Sequence, residues 1–313
     1  MGSGARVVTF FTAFLLSVIV ASTPLLLAAT GELVTERSGV LNLGVEGMML
    51  AGAISGFAIS IATGSPMLGI IGGMLGGMLL SLVFAILTLT FLAAQVPAGL
   101  ALTIFGTGLS ALIGSAYVGM STARLPRLHI PVLSDLPFFG PVVFGQDVLV
   151  YLSFAAVILV HGFLKYTHAG LILRSVGDSH DAAHSLGYPV VFIRYLATMF
   201  GGAMAGFAGA YMSLAYNTSW AEAMTGGRGW IALALVVFST WRPLWLIVGA
   251  YLFGSIMYLS FYLQGLGVPI PSQFVSALPY IATIVVLVAI SRDRTRTRLS
   301  APASLGRRFH AAG

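Results

Sequence analysis

Two long stretches of the chain contain no charged residue, and they limit the fold more than any other feature. Residues 47–123 and 243–291 lack Asp, Glu, Lys, Arg and His altogether. A bilayer core about 30 Å thick needs about 20 apolar residues per helical crossing, so these stretches alone have room for about five crossings. Only 8% of the 313 residues are charged, too few for a water-facing surface. The sequence therefore predicts an all-α, polytopic transmembrane helical bundle.

Glycine, proline and charge clusters divide the chain into predicted helices. The first follows Arg6 and is longer than the apolar part of a signal peptide, so we interpret it as a membrane span. The segment 229–240 is short for a crossing; it is either half of a broken helix or a helix that continues through Pro243. We predict about nine spans, within a range of eight to ten, at residues 7–29, 45–62, 67–93, 99–119, 147–165, 191–215, 229–240, 243–263 and 273–290.

The distribution of basic residues predicts the orientation of the bundle. Cytoplasmic connections of membrane proteins carry an excess of Lys and Arg. With a cytoplasmic C-terminus, the outer connections hold four basic residues, namely Arg6, Arg124, Arg127 and Arg228. The inner connections then hold eleven, which are Arg37, Lys165, Arg174, Arg194, Arg242 and six arginines of the C-terminal tail. An odd number of spans places the N-terminus outside.

The chain divides into a transmembrane domain, residues 1–291, and a basic tail, residues 292–313. The tail holds Arg292, Arg294, Arg296, Arg298, Arg307 and Arg308. A cytoplasmic position beside membrane lipid explains these arginines better than binding to nucleic acid does. The chain has no cysteine, which excludes disulfides and thiolate metal sites.

The segment 31–47 concentrates acidic and polar groups between two apolar helices. Its four glycines make a single continuous helix improbable, and broken helices are frequent at transporter sites. Asn42, Glu46 and Gly47 are the candidate residues of this segment. Glu46 is either a functional acid inside the membrane or an interfacial residue that caps a helix N-terminus. For Glu32, Glu36 and Arg37 we favour a structural ion-pair cluster over contact with substrate.

The inner connection, residues 166–190, predicts a short helix on the cytoplasmic face. Asp178 or Ser179 is suited to its N-cap and Gly187 to its C-terminal end. His180 and His184 stand four residues apart with an acid between them, a spacing similar to that of zinc proteases. Because no third ligand is evident, we predict no metal site and a helix that docks a partner.

The outer segment 216–230 gathers polar and aromatic residues. Glu222 and Arg228 are candidates for an external mouth, while interfacial anchoring accounts for the tryptophans. Two glycine stripes, in residues 69–77 and 201–209, are interpreted as sites of close helix packing, with a channel lining as the alternative.

Motifs of ATP-using enzymes do not occur. The only lysine is Lys165, so there is no Gly-x-x-x-x-Gly-Lys-Ser/Thr loop, and there is no Gly-x-Ser-x-Gly nucleophile elbow. We therefore predict that the chain is not an enzyme, has no cofactor of its own, and takes any energy it uses from an ion gradient or from another subunit.

Three segments resemble one family. Residues 36–53, which contain Asn42-Leu43-Gly44-Val45-Glu46-Gly47-Met48-Met49-Leu50, resemble the signature of permease subunits of bacterial ABC importers for simple sugars and nucleosides, and look most like the nucleoside branch. Residues 170–187 resemble the helix of this family that couples to the ATPase, although Ser175, Ser179 and His180 depart from its usual Ala, Asn and Pro. Residues 226–235 are similar to the shorter of two paired permeases.

The resemblance implies a permease of the type II ABC importer fold in the bacterial inner membrane. By position, the coupling residues it implies are Arg174, Gly177, Asp178, Ala182, Ala183 and Gly187. It also implies three partners: a second, longer permease, a cytoplasmic ATPase with two fused nucleotide-binding domains that binds the ATP, and an extracytoplasmic binding protein or lipoprotein. A nucleoside is the expected substrate; a pentose or hexose, or a riboflavin-like compound, is the alternative. An ion-coupled secondary transporter is a more distant alternative to the ABC importer.

Overall fold

A computed structural model describes residues 3–123, 125, 140–265, 271–291 and 301–310 of the protein. Across these residues the chain forms helices and no strand, apart from an isolated bridge between Ser121 and Ser219. The helices are α1 (Ser3–Arg37), α2 (Val45–Thr63), α3 (Pro66–Ala85), α4 (Gln95–Gly114), α5 (Val148–Tyr166), α6 (His168–Asp178), α7 (His180–Ser185), α8 (Val190–Tyr211), α9 (Arg228–Phe238), α10 (Pro243–Gly265) and α11 (Ser272–Ser291). The prediction of an all-α bundle is confirmed.

Six segments of the described chain are long and apolar enough to cross a membrane. They are Thr12–Arg37, Val45–Thr63, Pro66–Thr90, Gln95–Tyr117, Val148–Tyr166 and Val190–Tyr216. The protein is therefore a multi-pass membrane protein, but these six do not support the predicted count of about nine spans. One predicted span, α9, has 11 residues, a length of about 16 Å. The half-helix interpretation holds, because Thr240 and Trp241 turn the chain at positive φ before α10 begins.

The first helix is longer than predicted. It ends at Arg37 rather than at residue 29, because Gly31 serves helix packing instead of ending the helix. A Cβ on Gly31 would lie 2.9 Å from the carbonyl oxygen of Gly201 on α8. The break in the segment 31–47 comes later, at residues 38–44, where Gly39 adopts a φ of +87°.

Glycines allow the central helices to pack closely. A Cβ on Gly73 of α3 would lie 2.9 Å from the carbonyl oxygen of Gly52 on α2 and 3.2 Å from that of Gly206 on α8. Three helix backbones therefore meet at these residues, as small residues permit in a membrane. The packing interpretation of the glycine stripes is confirmed at this crossing.

The bundle has one strongly basic end. Arg37, Lys165, Arg174 and Arg242 line one cleft of about 260 Å³ there, and α6 and α7 follow α5 at the same end. These four residues belong to the set that was assigned to the inner connections, so the structure groups them as predicted. We call this the basic end of the bundle.

The remaining outer surface of the long helices is apolar. Ile104 and Leu112 on α4 are each 74% exposed, and Leu159 on α5 is 71% exposed. Large apolar side chains turned outward over much of their length are expected where lipid or another membrane subunit covers the helices.

Candidate functional site

Glu46 lies buried inside the bundle, where its carboxylate accepts three hydrogen bonds. The Thr225 hydroxyl donates at 2.6 Å, the Gly227 amide at 2.7 Å and the Gly229 amide at 2.6 Å. Only 6% of the residue is exposed. Gly227 directly precedes α9 and Gly229 is its second residue, so Glu46 caps the N-terminus of that half-helix from another part of the chain.

The cap lies well inside the bundle. Gly47, the next residue, packs against Leu102 and Thr103 of α4. Thr103 stands eight positions after Gln95, the first residue of α4, which corresponds to about 12 Å along the helix. An unpaired helix N-terminus at that depth would leave amides without a partner, and a carboxylate both accepts their hydrogens and matches the positive end of the dipole. Glu46 is therefore a buried acid that caps a helix N-terminus, and a functional role inside the membrane stays a prediction.

Two glycines make the cap possible. A Cβ on Gly229 would lie 2.6 Å from the backbone nitrogen of Glu46, and a Cβ on Gly47 would lie 2.8 Å from Cα of Thr103. These are distances that real Cβ atoms essentially never show. Gly47 therefore lets α2 approach α4, and Gly229 lets α9 approach α2.

Asn42 joins the end of α1 to the start of α2. Its amide nitrogen donates to Glu32 at 3.5 Å, its backbone amide donates to the same carboxylate at 3.3 Å, and its amide oxygen accepts from Gly44 at 2.9 Å. Asn42 is fully buried. Both candidates of this segment, Asn42 and Glu46, thus hold the broken stretch of chain in place.

Glu222 and Arg228 differ in their exposure, and the external mouth stays a prediction. Glu222 is exposed, whereas Arg228 is 7% exposed and donates to the carbonyl oxygens of Met224 and Thr225 at 3.3 and 3.1 Å. The guanidinium lies over the Tyr216 ring, 5.5 Å from its centroid. Arg228 was assigned to the outer side, yet the amide of the next residue, Gly229, bonds to Glu46 on α2, so Arg228 lies beside Glu46 in the bundle.

At the basic end, α6 and α7 form a corner with an exposed outer face. The Ser179 hydroxyl accepts from the Ala182 amide at 3.3 Å and caps α7, and Gly187 ends it with a φ of +85°. The predicted short helix and both of its ends are confirmed. The helix α6 was not foreseen; Thr167 caps it, and its Leu173 and Val176 are buried.

The residues assigned to coupling divide between the two faces of this corner. Asp178, Ala182 and Gly187 are exposed, Arg174 is half-buried, and Gly177 and Ala183 are buried. Gly177 packs against the carbonyl of Arg37 at the end of α1. The exposed residues are thus available to another protein, and the buried ones attach the corner to the bundle.

The C-terminal segment, residues 301–310, packs against the inner side of this corner. The Ser304 amide donates to Gly177 at 2.9 Å, and the Gly306 amide donates to Gly39 at 3.1 Å. The predicted tail, residues 292–313, is therefore not wholly a free extension. Residues 292–300 and 311–313 of it lie outside the described residues.

Arg194 of α8 holds the same junction together. Its guanidinium donates to the carbonyl oxygen of Gly39 at 2.8 Å and to that of Arg307 at 3.1 Å. Arg194 is 2% exposed. One buried cation thus binds the chain after α1 and the C-terminal segment at once.

The two histidines of α7 face an aromatic ring. The Phe309 ring lies 5.8 Å from the His180 ring and 5.4 Å from the His184 ring, in edge-on geometry. Burial, with the positive charges of Arg194 and Arg307 beside it, lowers the pKa of His180 to about 4. Within the described residues, no group of three or more potential metal ligands is found.

The basic end is connected to α9 through α1. The Glu36 carboxylate accepts from the Trp241 indole at 2.5 Å, and the Arg37 guanidinium donates to the Trp241 carbonyl oxygen at 2.9 Å. Trp241 lies in the turn between α9 and α10. The structure shows Glu36 and Arg37 bonded to this turn and Glu32 bonded to Asn42, and the ion-pair cluster favoured for this segment stays a prediction.

Comparison of the sequence with known proteins identifies the family of this membrane bundle. The sequence matches the family described as "Branched-chain amino acid transport system / permease component" over residues 14–288. The chain belongs to this permease family. The resemblance seen in the sequence is confirmed, and the permease is a transport subunit of the ABC type.

Three relatives carry names that describe their transport. The permease is 40% identical to "Putative glucose ABC transporter permease protein TsgC13" of Haloferax volcanii, over 95% of this chain and 97% of the relative. It is 30% identical to "Nucleoside ABC transporter permease protein NupC" of Lactococcus lactis, over 87% of this chain and 90% of the relative. It is 32% identical to "Guanosine ABC transporter permease protein NupQ" of Bacillus subtilis, over 87% of this chain and 92% of the relative. No solved structure matches the chain.

Sequence reasoning missed several residues that build these sites. Thr225 and Gly229 lie 179 and 183 residues from Glu46, and no local pattern links them. Arg194 and Phe309 were likewise not singled out. One signal was present for Arg194, because it is the single charged residue of a helix, α8, that is otherwise uncharged through Tyr211.

Proposed function

We propose that the permease is one of two membrane subunits of an ATP-driven importer, and that it forms the translocation pathway for a nucleoside with a second, longer permease. The corner of α6 and α7 supports a role of the permease in coupling to the ATPase. It exposes Asp178 and Ala182, while Gly177 joins the same corner to the end of α1.

The proposed partners follow from the permease type. A cytoplasmic ATPase with two fused nucleotide-binding domains binds ATP and docks on α7, and an extracytoplasmic binding protein or lipoprotein delivers the substrate. The basic end then faces the cytoplasm, as the positive-inside rule requires, and the C-terminal segment lies on that side of a bacterial inner membrane. The permease itself binds no ATP in this scheme.

Contacts in the structure offer a route for movement from α7 to the interior. Gly177 packs on the end of α1, and Glu36 and Arg37 on that end bond to Trp241, which follows α9. The other end of α9 is held by Glu46. Force applied at α7 thus reaches a half-helix inside the membrane, where broken helices form transporter sites.

The substrate proposal is a nucleoside, with glucose as the second candidate. Two of the named relatives carry nucleoside or guanosine in their names, and the signature around Glu46 looks most like the nucleoside branch. The relative with glucose in its name has the higher identity, 40%, which supports the second candidate. Both are neutral solutes that carry hydroxyl groups.

The coupling proposal is tested at the exposed face of α7. In the assembled complex, Asp178→Arg and Ala182→Trp should abolish stimulated ATP hydrolysis and substrate uptake while the complex stays intact, because both residues are exposed. Glu222→Arg, an exposed charge reversal elsewhere in the chain, is the control. Normal uptake by both α7 variants in a fully assembled complex would refute the proposal.

The substrate proposal is tested on the binding protein and on cells. Purified binding protein is titrated calorimetrically with guanosine, adenosine, uridine and glucose, and uptake of each labelled compound is measured with and without the permease. Binding and permease-dependent uptake of nucleosides alone are expected. Glucose alone would establish the second candidate, and uptake that resists ATP depletion but fails with an uncoupler would point to a secondary transporter.

A further inference from the structure

The C-terminal segment, residues 301–310, is attached to the protein more firmly than a free tail. Its backbone bonds to Gly177 and Gly39, and the Ser304 hydroxyl donates to the Asp178 carbonyl oxygen at 3.3 Å. The partners lie on α6 and on the chain that follows α1. Bonds to two separate parts of the bundle fix both the position and the direction of the segment.

Apolar contacts hold the end of the segment against α7. Phe309 is 6% exposed and belongs to a small buried cluster with Val176, Ala183 and Val190. This cluster joins α6, α7, α8 and the C-terminal segment. Because burial of the Phe309 ring removes a large apolar side chain from water, the docked state is favoured by an apolar contact as well as by hydrogen bonds.

The outward side of the docked segment is basic. Arg307 and Arg308 are exposed, although the Arg307 carbonyl is engaged by buried Arg194. On the adjoining helices the exposed charges are Asp178 and Asp181. The corner therefore presents acidic groups from α6 and α7 beside basic groups from the segment, and fixed charges of both signs favour one partner orientation.

We infer that residues 301–310 form a second element of the surface that receives the ATPase, in which Arg307 and Arg308 face acidic groups of that subunit and Phe309 positions α7. The inference rests on the proposed coupling function and extends it from α7 to the C-terminal segment. The partner is the cytoplasmic ATPase, because the segment adjoins the exposed face of α7 on which the ATPase is proposed to dock.

Photo-crosslinking in the assembled complex tests this inference. p-Benzoylphenylalanine is placed at one of three exposed positions: Arg308 on the segment, Ala182 on α7, and Met67 at the start of α3. After irradiation, products with the ATPase are detected on denaturing gels. Crosslinks from positions 308 and 182, and none from 67, are expected.

The outcomes separate this inference from the proposed function. A crosslink from 182 without one from 308 overturns the inference and leaves the coupling role of α7 standing. No ATPase crosslink from either position overturns both. A crosslink from 67 shows that the contact is unspecific and also overturns the inference.

Charge reversal supplies a second measurement that does not depend on crosslinking. Arg307→Glu together with Arg308→Glu should lower the amount of ATPase that copurifies by roughly tenfold at low salt, with a smaller effect at high salt. Both side chains are exposed, so the fold is preserved. Arg242→Glu, an exposed reversal at the same end but away from the segment, is the control. Equal ATPase recovery from the double variant and the wild type contradicts the inference.

Discussion

The Glu46 carboxylate on α2 accepts a 2.6 Å hydrogen bond from the Thr225 hydroxyl, which follows it by 179 residues. Two amides at the start of α9 donate to the same carboxylate. A half-helix that begins inside the bundle thus depends on an acid from another helix. The cost of burying this acid is offset by three donors, which is the condition under which a buried charge is tolerated.

Replacing Glu46 should destabilise the permease strongly. Glu46→Ala removes the acceptor for three buried donors, each of which costs about 1–3 kcal/mol when left unsatisfied. We expect a loss of about 3 kcal/mol or more, measured as earlier thermal unfolding of the purified complex in detergent. The control is Glu222→Ala, which changes an exposed acid in the segment that contains Thr225. Equal unfolding temperatures for the two variants would contradict the cap.

Gly229 should not accept a side chain. In Gly229→Ala the new Cβ would lie 2.6 Å from the Glu46 backbone nitrogen, and relieving such overpacking costs about 1–3 kcal/mol. Gly108→Ala is the matched control, because a Cβ there has nothing within 4 Å. Detergent-solubilised yield and unfolding temperature should fall for the first variant only. If Gly108→Ala loses as much, close approach at Gly229 is not the cause.

Arg194 should keep the C-terminal segment docked. Arg194→Ala removes the bonds to Gly39 and Arg307, and hydrogen bonds from a charged group are worth about 1.5–3 kcal/mol. Trypsin cleavage after Arg307 and Arg308 requires the segment to open, so its rate should rise roughly tenfold or more. Arg242→Ala removes an exposed arginine and should leave the rate unchanged. An unchanged rate in Arg194→Ala would show that the other contacts suffice.

Docking of the segment should weaken in acid. The pKa of His180 is lowered from 6.5 to about 4 in the folded state, so protonation favours the state in which His180 is released. The positive charges of Arg194 and Arg307 oppose protonation, and Asp181 partly offsets them. The stability that neutral His180 gives to the docked segment is complete above about pH 6.5, and it is lost as the pH falls from there towards 4.

This pH dependence can be followed with a single fluorophore. Because the chain has no cysteine, Arg308→Cys offers a unique labelling site on the segment. Fluorescence anisotropy at that site should fall between pH 6.5 and 4 as the segment is released. His180→Gln cannot titrate, so the same label in that variant should show little change over this window; an equal fall in both would assign the effect to another group.

Much of the helical framework followed from local sequence. Charge-free runs of residues located the long helices, and Ser179 and Gly187 marked the two ends of α7. The first helix was predicted too short, since Gly31 was interpreted as a break although it faces Gly201 on a helix 170 positions away. The sequence alone does not distinguish a glycine that breaks a helix from a glycine that lets two helices touch.

The sequence by itself determined that this protein lies in a membrane, where its candidate residues fall along the chain, and to which permease family it is similar, because these depend on composition, periodicity and short motifs. Only the tertiary structure decided what Glu46 binds, that Arg228 is buried while Glu222 is exposed, and that Phe309 packs on α7. The physical reason is distance along the chain: a buried acid must find donors somewhere, but which donors reach it depends on how the helices pack.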